Sequence, residues 1–209
     1  RVESEDLITL MDRPVLDTGT LELVRGRLQI QDVIAWSNVN VKVDADAVLK
    51  LTHSLEVKDL DYQGAAWQTD VSDGVRVWVY GTMRPGALYP ALRFEGGSTV
   101  DLSQMTGPWD ANGEAPKGDA SGVGVRTYTK SGDVWFNPDN VPGAITINLA
   151  GRTLAEGDML IRWAVMPPAG VQFVFDDETA QNGYTPVVTP IGLYYGMPAN
   201  DPVVATARW

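Results

Sequence analysis

The feature that most constrains this chain is a set of short strands with one apolar side, clearest between residues 75 and 103. Apolar side chains there alternate with polar or aromatic ones: Val75, Val77 and Val79, then Val100 and Leu102 on either side of Asp101. Alternation with a period of two is the mark of a strand that buries one face. Glycine-containing turns separate the strands, which predicts a fold made of β-strands.

Comparable apolar residues return every 16 to 20 residues, at Leu21, Val39, Leu55, Val75 and Leu92. A regular return of short strands separated by Gly, Asp, Asn and Ser is typical of a solenoid, in which each coil must lie on its neighbour to bury its apolar side chains. We therefore predict an all-β fold, a right-handed parallel β-helix. The same spacing also suits an antiparallel β-sandwich or jelly roll, and periodicity alone does not separate the two.

The composition divides the chain into three parts, which we expect to form one continuous domain. Residues 1–103 carry the predicted solenoid coils, and residues 144–209 carry closing strands and a C-terminal tail. Between them, residues 104–143 are rich in Gly, Pro, Asp and Asn, and 123–129 and 133–136 read as the two strands of an inserted hairpin. The best helical segment, 176–181, is short and is followed by Asn182-Gly183, which indicates one or two turns at most.

Two runs give the sequence a family resemblance. Residues 79–86 (VYGTMRPG) and 92–103 (LRFEGGSTVDLS) resemble the glycine-turn repeats of bacterial autotransporter passengers and related β-helical surface proteins. Residues 21–30 and 39–57 look like looser copies, and 157–196 resembles the closing strands that follow such repeats. The irregular spacing and the insertion depart from the family pattern. The resemblance implies an exported structural or adhesive protein, usually without catalytic activity.

The net charge of −11 limits the classes of partner that the chain can bind. It argues against nucleic acid, whose phosphates need Lys and Arg, and against an anionic membrane surface. The sequence has no apolar run long enough for a membrane span, so we expect no membrane insertion. The first residue is Arg1 rather than Met, and we expect a processed or excised segment located outside the cell or on its surface.

Catalysis has little support in the sequence, and we expect no enzymatic activity. His53 is the only histidine, there is no cysteine, and no nucleophile motif is present. A polysaccharide-cleaving enzyme would need a carboxylate pair, but with 27 acidic residues such pairs arise by chance. No cofactor is expected, and calcium is the one metal to consider. Its candidate ligands are Asp133 and Asp139, near the base of the predicted hairpin.

The inserted segment also holds a candidate glycan-binding surface. Aromatic rings stack on sugars while carboxylates and amides bind their hydroxyls. The residues that fit these roles are Trp109, Asp110, Tyr128, Trp135 and Asn137. Burial of the rings over a gap in the solenoid explains the same residues, and the sequence favours this explanation over sugar binding.

Three functions from different classes therefore stay open, and a polysaccharide-cleaving enzyme is the least favoured of them. The first is a non-catalytic stalk, surface-layer or filament component whose strand edges pair with copies of itself or with other surface proteins. The second is a carbohydrate-binding or adhesin module that binds glycans.

Overall fold

The computed structural model describes residues 1–10, 15–32, 34–51, 53–63, 68–69, 76–85, 91–105, 107–110, 134–136, 143–163 and 166–197. It is an all-β protein with almost no helix, and its main sheet stacks as a β-solenoid of about three turns. The main sheet has 12 strands, and all its strand pairs are parallel. Parallel pairing confirms the solenoid and rules out the antiparallel sandwich.

The first two strands and the long third strand bend around corners, so each contributes to more than one face of the solenoid. They are β1 (Val2–Leu10), β2 (Gly19–Ile30) and β3 (Ile34–Leu51). The fourth strand also bends, and the later coils use short separate strands: β4 (Leu55–Tyr62), β5 (Gln68–Thr69), β6 (Arg76–Val79), β7 (Thr82–Pro85), β8 (Ala91–Phe94) and β9 (Thr99–Asp101). The stack continues beyond residue 103 through β11 (Val134–Phe136), β12 (Ile145–Asn148) and β14 (Phe173–Phe175).

The strand registers define three faces. The first face consists of 34–36, 55–57, β6, β8 and β11. The second face consists of 19–23, 39–43, 59–62, β7, β9, β12 and β14. The third face consists of 7–10, 25–30, 46–51 and β5. Register shifts between Leu23 and Arg25 and between Trp36 and Asn40 mark corners where the faces meet.

One row of apolar side chains runs through the interior of the second face. In order of register it contains Leu21, Val41, Leu60, Met83, Val100, Ile147 and Phe175. All are buried except Leu21, in the outermost of these coils, which is only partly buried. Burying each such side chain contributes about 1.5–3 kcal/mol, so the stacking of coils supplies most of the core.

A second, mixed sheet covers the C-terminal end of the stack. It contains four strands, in the order β10 (Trp109–Asp110), β13 (Asp158–Arg162), β16 (Gly192–Tyr195) and β15 (Pro186–Thr189). Its aromatic rings pack on the solenoid, with Phe175 and Tyr195 at 5.3 Å and Trp163 and Phe173 at 6.1 Å between centroids. The single helix turn α1 (Asp177–Ala180) follows β14, where the acidic segment predicted it.

The predicted inserted hairpin is only partly within the described residues. Its first strand, 123–129, lies outside them. Of the second strand, residues 134–136 are present as β11, which pairs in parallel with β8. This strand is therefore one more layer of the solenoid's first face.

Candidate functional site

Three acidic or amide side chains cap the corner at which the second face ends. Asp101 Oδ1 accepts from the backbone N–H of Ser103 at 3.0 Å, and Asn148 Oδ1 accepts from that of Ala150 at 2.9 Å. In the next coil, Asp176 Oδ1 accepts from the N–H of Thr179 at 2.9 Å and so caps α1. Short polar side chains are suited to these turns because they bond to backbone two or three residues ahead. The repeated cap fixes the segments that leave this corner.

A polar cleft of about 510 Å³ opens beside the last two of these turns. It lies between the segment 149–154, which follows β12, and the segment 178–184, which contains the end of α1. Residues from the two segments and from β16 line it: Arg152, Thr153, Glu178, Gln181, Tyr184 and Tyr195 among others. A cleft of this size is within the range of small-ligand sites.

Arg152 is the only cation among the described residues that line the cleft. Its side chain is half-buried, and its Nη2 donates to the carbonyl of Gly107 over a long 3.4 Å. Nη1 is buried and has no hydrogen-bond partner among the described residues. Burial lowers the pKa of the guanidinium below its usual value, and the nearby Asp158 carboxylate opposes this shift. The group stays charged, so a missing acceptor is costly here.

The opposite wall of the cleft is aromatic and amide-rich. Tyr184 and Tyr195 meet edge to face at 5.0 Å, and Tyr184 is 36% exposed. Burial raises the pKa of Tyr195, a hydrogen bond from Asn182 lowers it by less, and the nearby Tyr184 raises it further. The Asn182 amide also donates to the carbonyl of Thr179 at 3.3 Å. The wall thus presents an aromatic face beside hydrogen-bonding side chains.

The structure places Trp109, the first of the predicted glycan-binding residues, in the core. The residue is 1% exposed, and its ring packs edge to face on Phe94 at 6.2 Å. Its indole Nε1 is buried without a hydrogen-bond partner among the described residues. No face of this ring is available for stacking on a sugar, and Trp109 joins the second sheet to the solenoid instead.

Of the other predicted site residues, one is in the second sheet, one is in the main sheet, and the rest lie outside the residues that the structure describes. Asp110 ends β10 and is in register with Arg162 of the second sheet. Trp135 is in β11, on the first face of the solenoid, in register with Arg93. Tyr128, Asn137, Asp133 and Asp139 lie outside the described residues. The glycan-binding and calcium assignments therefore stay predictions.

The first face carries a second aromatic feature. Trp78 and Tyr80 stack with their rings 5.7 Å apart and nearly parallel, at 6°, and Tyr80 is 37% exposed. Trp78 is in register with Arg93, which is in register with Trp135. Neighbouring strands are about 4.8 Å apart, so these three positions form a row along the solenoid.

The described residues contain neither a metal-binding group nor a membrane-spanning helix. In the part of the chain that the structure describes, no three His, Cys, Asp or Glu side chains are grouped so that they would hold a metal ion. None of the helical structure found there has the length and apolar character to span a bilayer.

The sequence patterns did not single out the cleft residues. Arg152 follows a glycine in a turn, and Tyr184 follows the stop signal after α1. The two come together because β12 pairs with β14 and because β16 packs on Phe175. These are non-local contacts, and the only local signal was a lone arginine between Leu149 and Leu154.

Comparison with known proteins finds no matching family, no similar curated protein and no similar solved structure.

Proposed function

We propose that this chain is a non-catalytic structural module, a β-solenoid segment of an exported or surface protein that associates with a second copy through its open end. The observation that carries the proposal is the difference between the two ends of the stack. In the described residues, β1 at one end pairs with β2 alone. At the other end β14 also pairs with one strand only, β12, but its Phe173 and Phe175 rings pack against Trp163 and Tyr195 beside and within the second sheet.

The open end is incompletely buried. The apolar residues of its outermost coils, Val2, Ile8, Leu10 and Leu21, are only partly buried. In β2, Leu28 and Ile30, which are in register with Ile8 and Leu10 of β1, are at most 1% exposed. Between β1 and β2, Val15 is 79% exposed and Leu16 is 39% exposed. An unpaired strand edge beside apolar side chains is a template for adding another strand.

The charges at this end set the strength of the association. Glu3, Glu5 and Asp6 lie on β1, and among the described residues only Glu3 of these three has ion pairs with basic side chains, Arg1 and Arg25. In a pair of copies related by a two-fold axis, these carboxylates come close to their own equivalents. We therefore expect a weak, reversible dimer that strengthens with salt, because salt screens the repulsion.

Sedimentation velocity over a range of protein and salt concentrations tests this proposal. The expected result is a monomer–dimer equilibrium that shifts toward dimer between low and high salt. The double variant Val15→Asp, Leu16→Asp should stay monomeric. Val174→Asp, which changes a 41% exposed valine at the covered end, is the matched control and should dimerise normally. A strict monomer under all conditions overturns the assembly proposal, as does a dimer that only Val174→Asp disrupts.

Carbohydrate binding is the second candidate, and the row on the first face favours it. Trp78 and Tyr80 offer a stacked aromatic surface, and Trp135 is two strands away by register. A glycan array followed by titration of any hit tests this function. Loss of binding in Trp78→Ala and Trp135→Ala, but not in Tyr184→Ala, supports the row as the binding surface. An array without hits, or hits that both tryptophan variants retain, would exclude it.

A further inference from the structure

The polar cleft between residues 149–154 and 178–184 has features that the structural proposal does not use. It combines a half-buried arginine, exposed amide side chains and an exposed aromatic ring in one opening of about 510 Å³. None of these residues belongs to the open end of the solenoid or to the aromatic row of the first face.

The arginine provides the strongest argument for a ligand. Arg152 has one long hydrogen bond, to Gly107, and its Nη1 donates to nothing among the described residues. Buried donors are nearly always paired, and an exception calls for an acceptor that the described residues do not supply. Arg152 is among the residues that line the cleft, so an acceptor bound there lies beside its guanidinium. A carboxylate is the acceptor that matches a guanidinium best, because it takes two parallel bonds.

The other residues that line the cleft indicate what the ligand carries besides its carboxylate. Tyr184 exposes part of its ring, and its edge-to-face contact with Tyr195 holds that ring in place. Gln181 is exposed and can both donate to and accept from hydroxyl groups, and the Glu178 carboxylate is a further acceptor. An aromatic face flanked by amide and carboxylate groups is suited to a sugar ring with its hydroxyls.

We propose that this cleft binds a short saccharide that carries a carboxylate, of the uronic acid type. The carboxylate pairs with Arg152, the sugar ring lies against Tyr184, and ring hydroxyls bond to Gln181 and Glu178. The ligand carboxylate binds at Arg152, on the wall formed by 149–154. Glu178 is on the opposite wall, in α1, so its carboxylate meets the ring hydroxyls rather than the ligand carboxylate.

Isothermal titration of the whole chain with glucuronate and with glucose, and with their short oligomers, tests the proposal. The two sugars differ by the carboxylate, so the difference in affinity measures the contribution of Arg152. A hydrogen-bonded charge pair predicts affinity for glucuronate about 10- to 100-fold higher than for glucose. Equal affinity for the two sugars, or no binding to either series up to about 10 mM, overturns it.

Variants of three cleft residues and one control variant locate the site. Arg152→Gln should abolish the preference for glucuronate, while Arg162→Gln, which removes an exposed arginine outside the cleft, should leave it unchanged. Tyr184→Ala should weaken both sugars together, because it removes the stacking surface and leaves the charge pair. If Arg152→Gln does not fold, as judged by circular dichroism, Tyr184→Ala and Gln181→Ala carry the test. Unchanged binding in both of them contradicts the proposal.

Discussion

Arg84 and Asp101, on neighbouring coils of the second face, form a direct ion pair in which Arg84 Nε donates to Asp101 Oδ2 at 2.7 Å. The Asp101 side chain is only 8% exposed, whereas that of Arg84 is 49% exposed. Asp101 also accepts from the Ser103 hydroxyl and backbone N–H at 2.6 and 3.0 Å. The carboxylate is thus held by its own turn and by the coil before it.

This ion pair ends a row of alternating charge along the second face. In order of register the row contains Glu22, Lys42, Asp61 and Arg84, followed by Asp101. Lys42 is 3.0 Å from Glu22, and hydrogen bonds to Asp44 and Glu22 raise the pKa of Lys42. Opposite charges on adjacent strands favour this register over a shifted one.

Replacing Asp101 by Asn should reveal how much the buried carboxylate contributes. Burial raises the pKa of Asp101, but the hydrogen bonds from Ser103 and the pairing with Arg84 lower it by more, so the pKa lies below its usual value. A carboxylate with a lowered pKa stabilises the fold above its unfolded pKa of about 4, and this contribution is lost as the pH falls through the folded value. Asp101→Asn should therefore cost about 1.5–3 kcal/mol at pH 7.

Urea unfolding at neutral and at acidic pH measures this effect. The difference in unfolding free energy between wild type and Asp101→Asn should be constant from pH 7 to about pH 5 and should shrink below pH 4. Asp17→Asn, which changes an exposed carboxylate, is the control and should have a small effect at any pH. A difference that does not depend on pH would contradict the assigned ion pair.

Gly81 is required at the corner between β6 and β7. A Cβ atom at this position would overlap the Asp59 carboxylate, which accepts from the Thr82 N–H at 2.7 Å, and would lie 2.9 Å from the carbonyl of Lys58. Gly81→Ala should therefore destabilise the protein by about 1–3 kcal/mol, as overpacking does. A Cβ at Gly107 meets no atom within 4 Å, so Gly107→Ala is the matched control. Thermal unfolding of the two variants distinguishes them, and equal melting temperatures would show that the corner is not close-packed.

Trp109→Ala should destabilise the fold rather than change a binding surface. The ring is 1% exposed and packs beside Phe94. Its removal leaves a cavity, which should lower the free energy of unfolding by about 3–5 kcal/mol. Tyr80→Ala, at a ring that is 37% exposed, should cost much less. Urea unfolding measures both. A Trp109→Ala variant as stable as wild type would place this ring outside the core.

The alternation of apolar residues predicted the strands and the stacking of coils, but not the register. The apolar period predicts that Leu21 and Val39 occupy the same position in successive coils. In the structure Leu21 is in register with Val41, and Val39 is in register with Gly19. Leu55 and Leu92 belong to the first face, each in register with Val77. The coils differ in length because the corners contain different numbers of residues. The spacing of apolar residues along the sequence therefore groups positions that belong to different faces.

The candidate glycan surface shows a second limit of local reasoning. Trp109 and Trp135 are both in the Gly/Pro-rich segment, yet β10 pairs with β13 and β11 pairs with β8. Neither pairing partner is close in sequence, so composition gave no sign that the two residues belong to different sheets. The helix turn after β14, in contrast, was predictable because Asp176 caps it locally.

Disulfide trapping is the most direct test of the parallel stack, because the chain contains no cysteine of its own. In the parallel register Asn40 is opposite Asp59 and Lys42 is opposite Asp61. Cα atoms in adjacent strands are within the range that a disulfide spans. The pairs Asn40→Cys with Asp59→Cys and Lys42→Cys with Asp61→Cys should both oxidise rapidly, and the crossed pair Asn40→Cys with Asp61→Cys should not. Fast oxidation of the crossed pair, with neither register pair forming, would mean antiparallel strands and would contradict the solenoid.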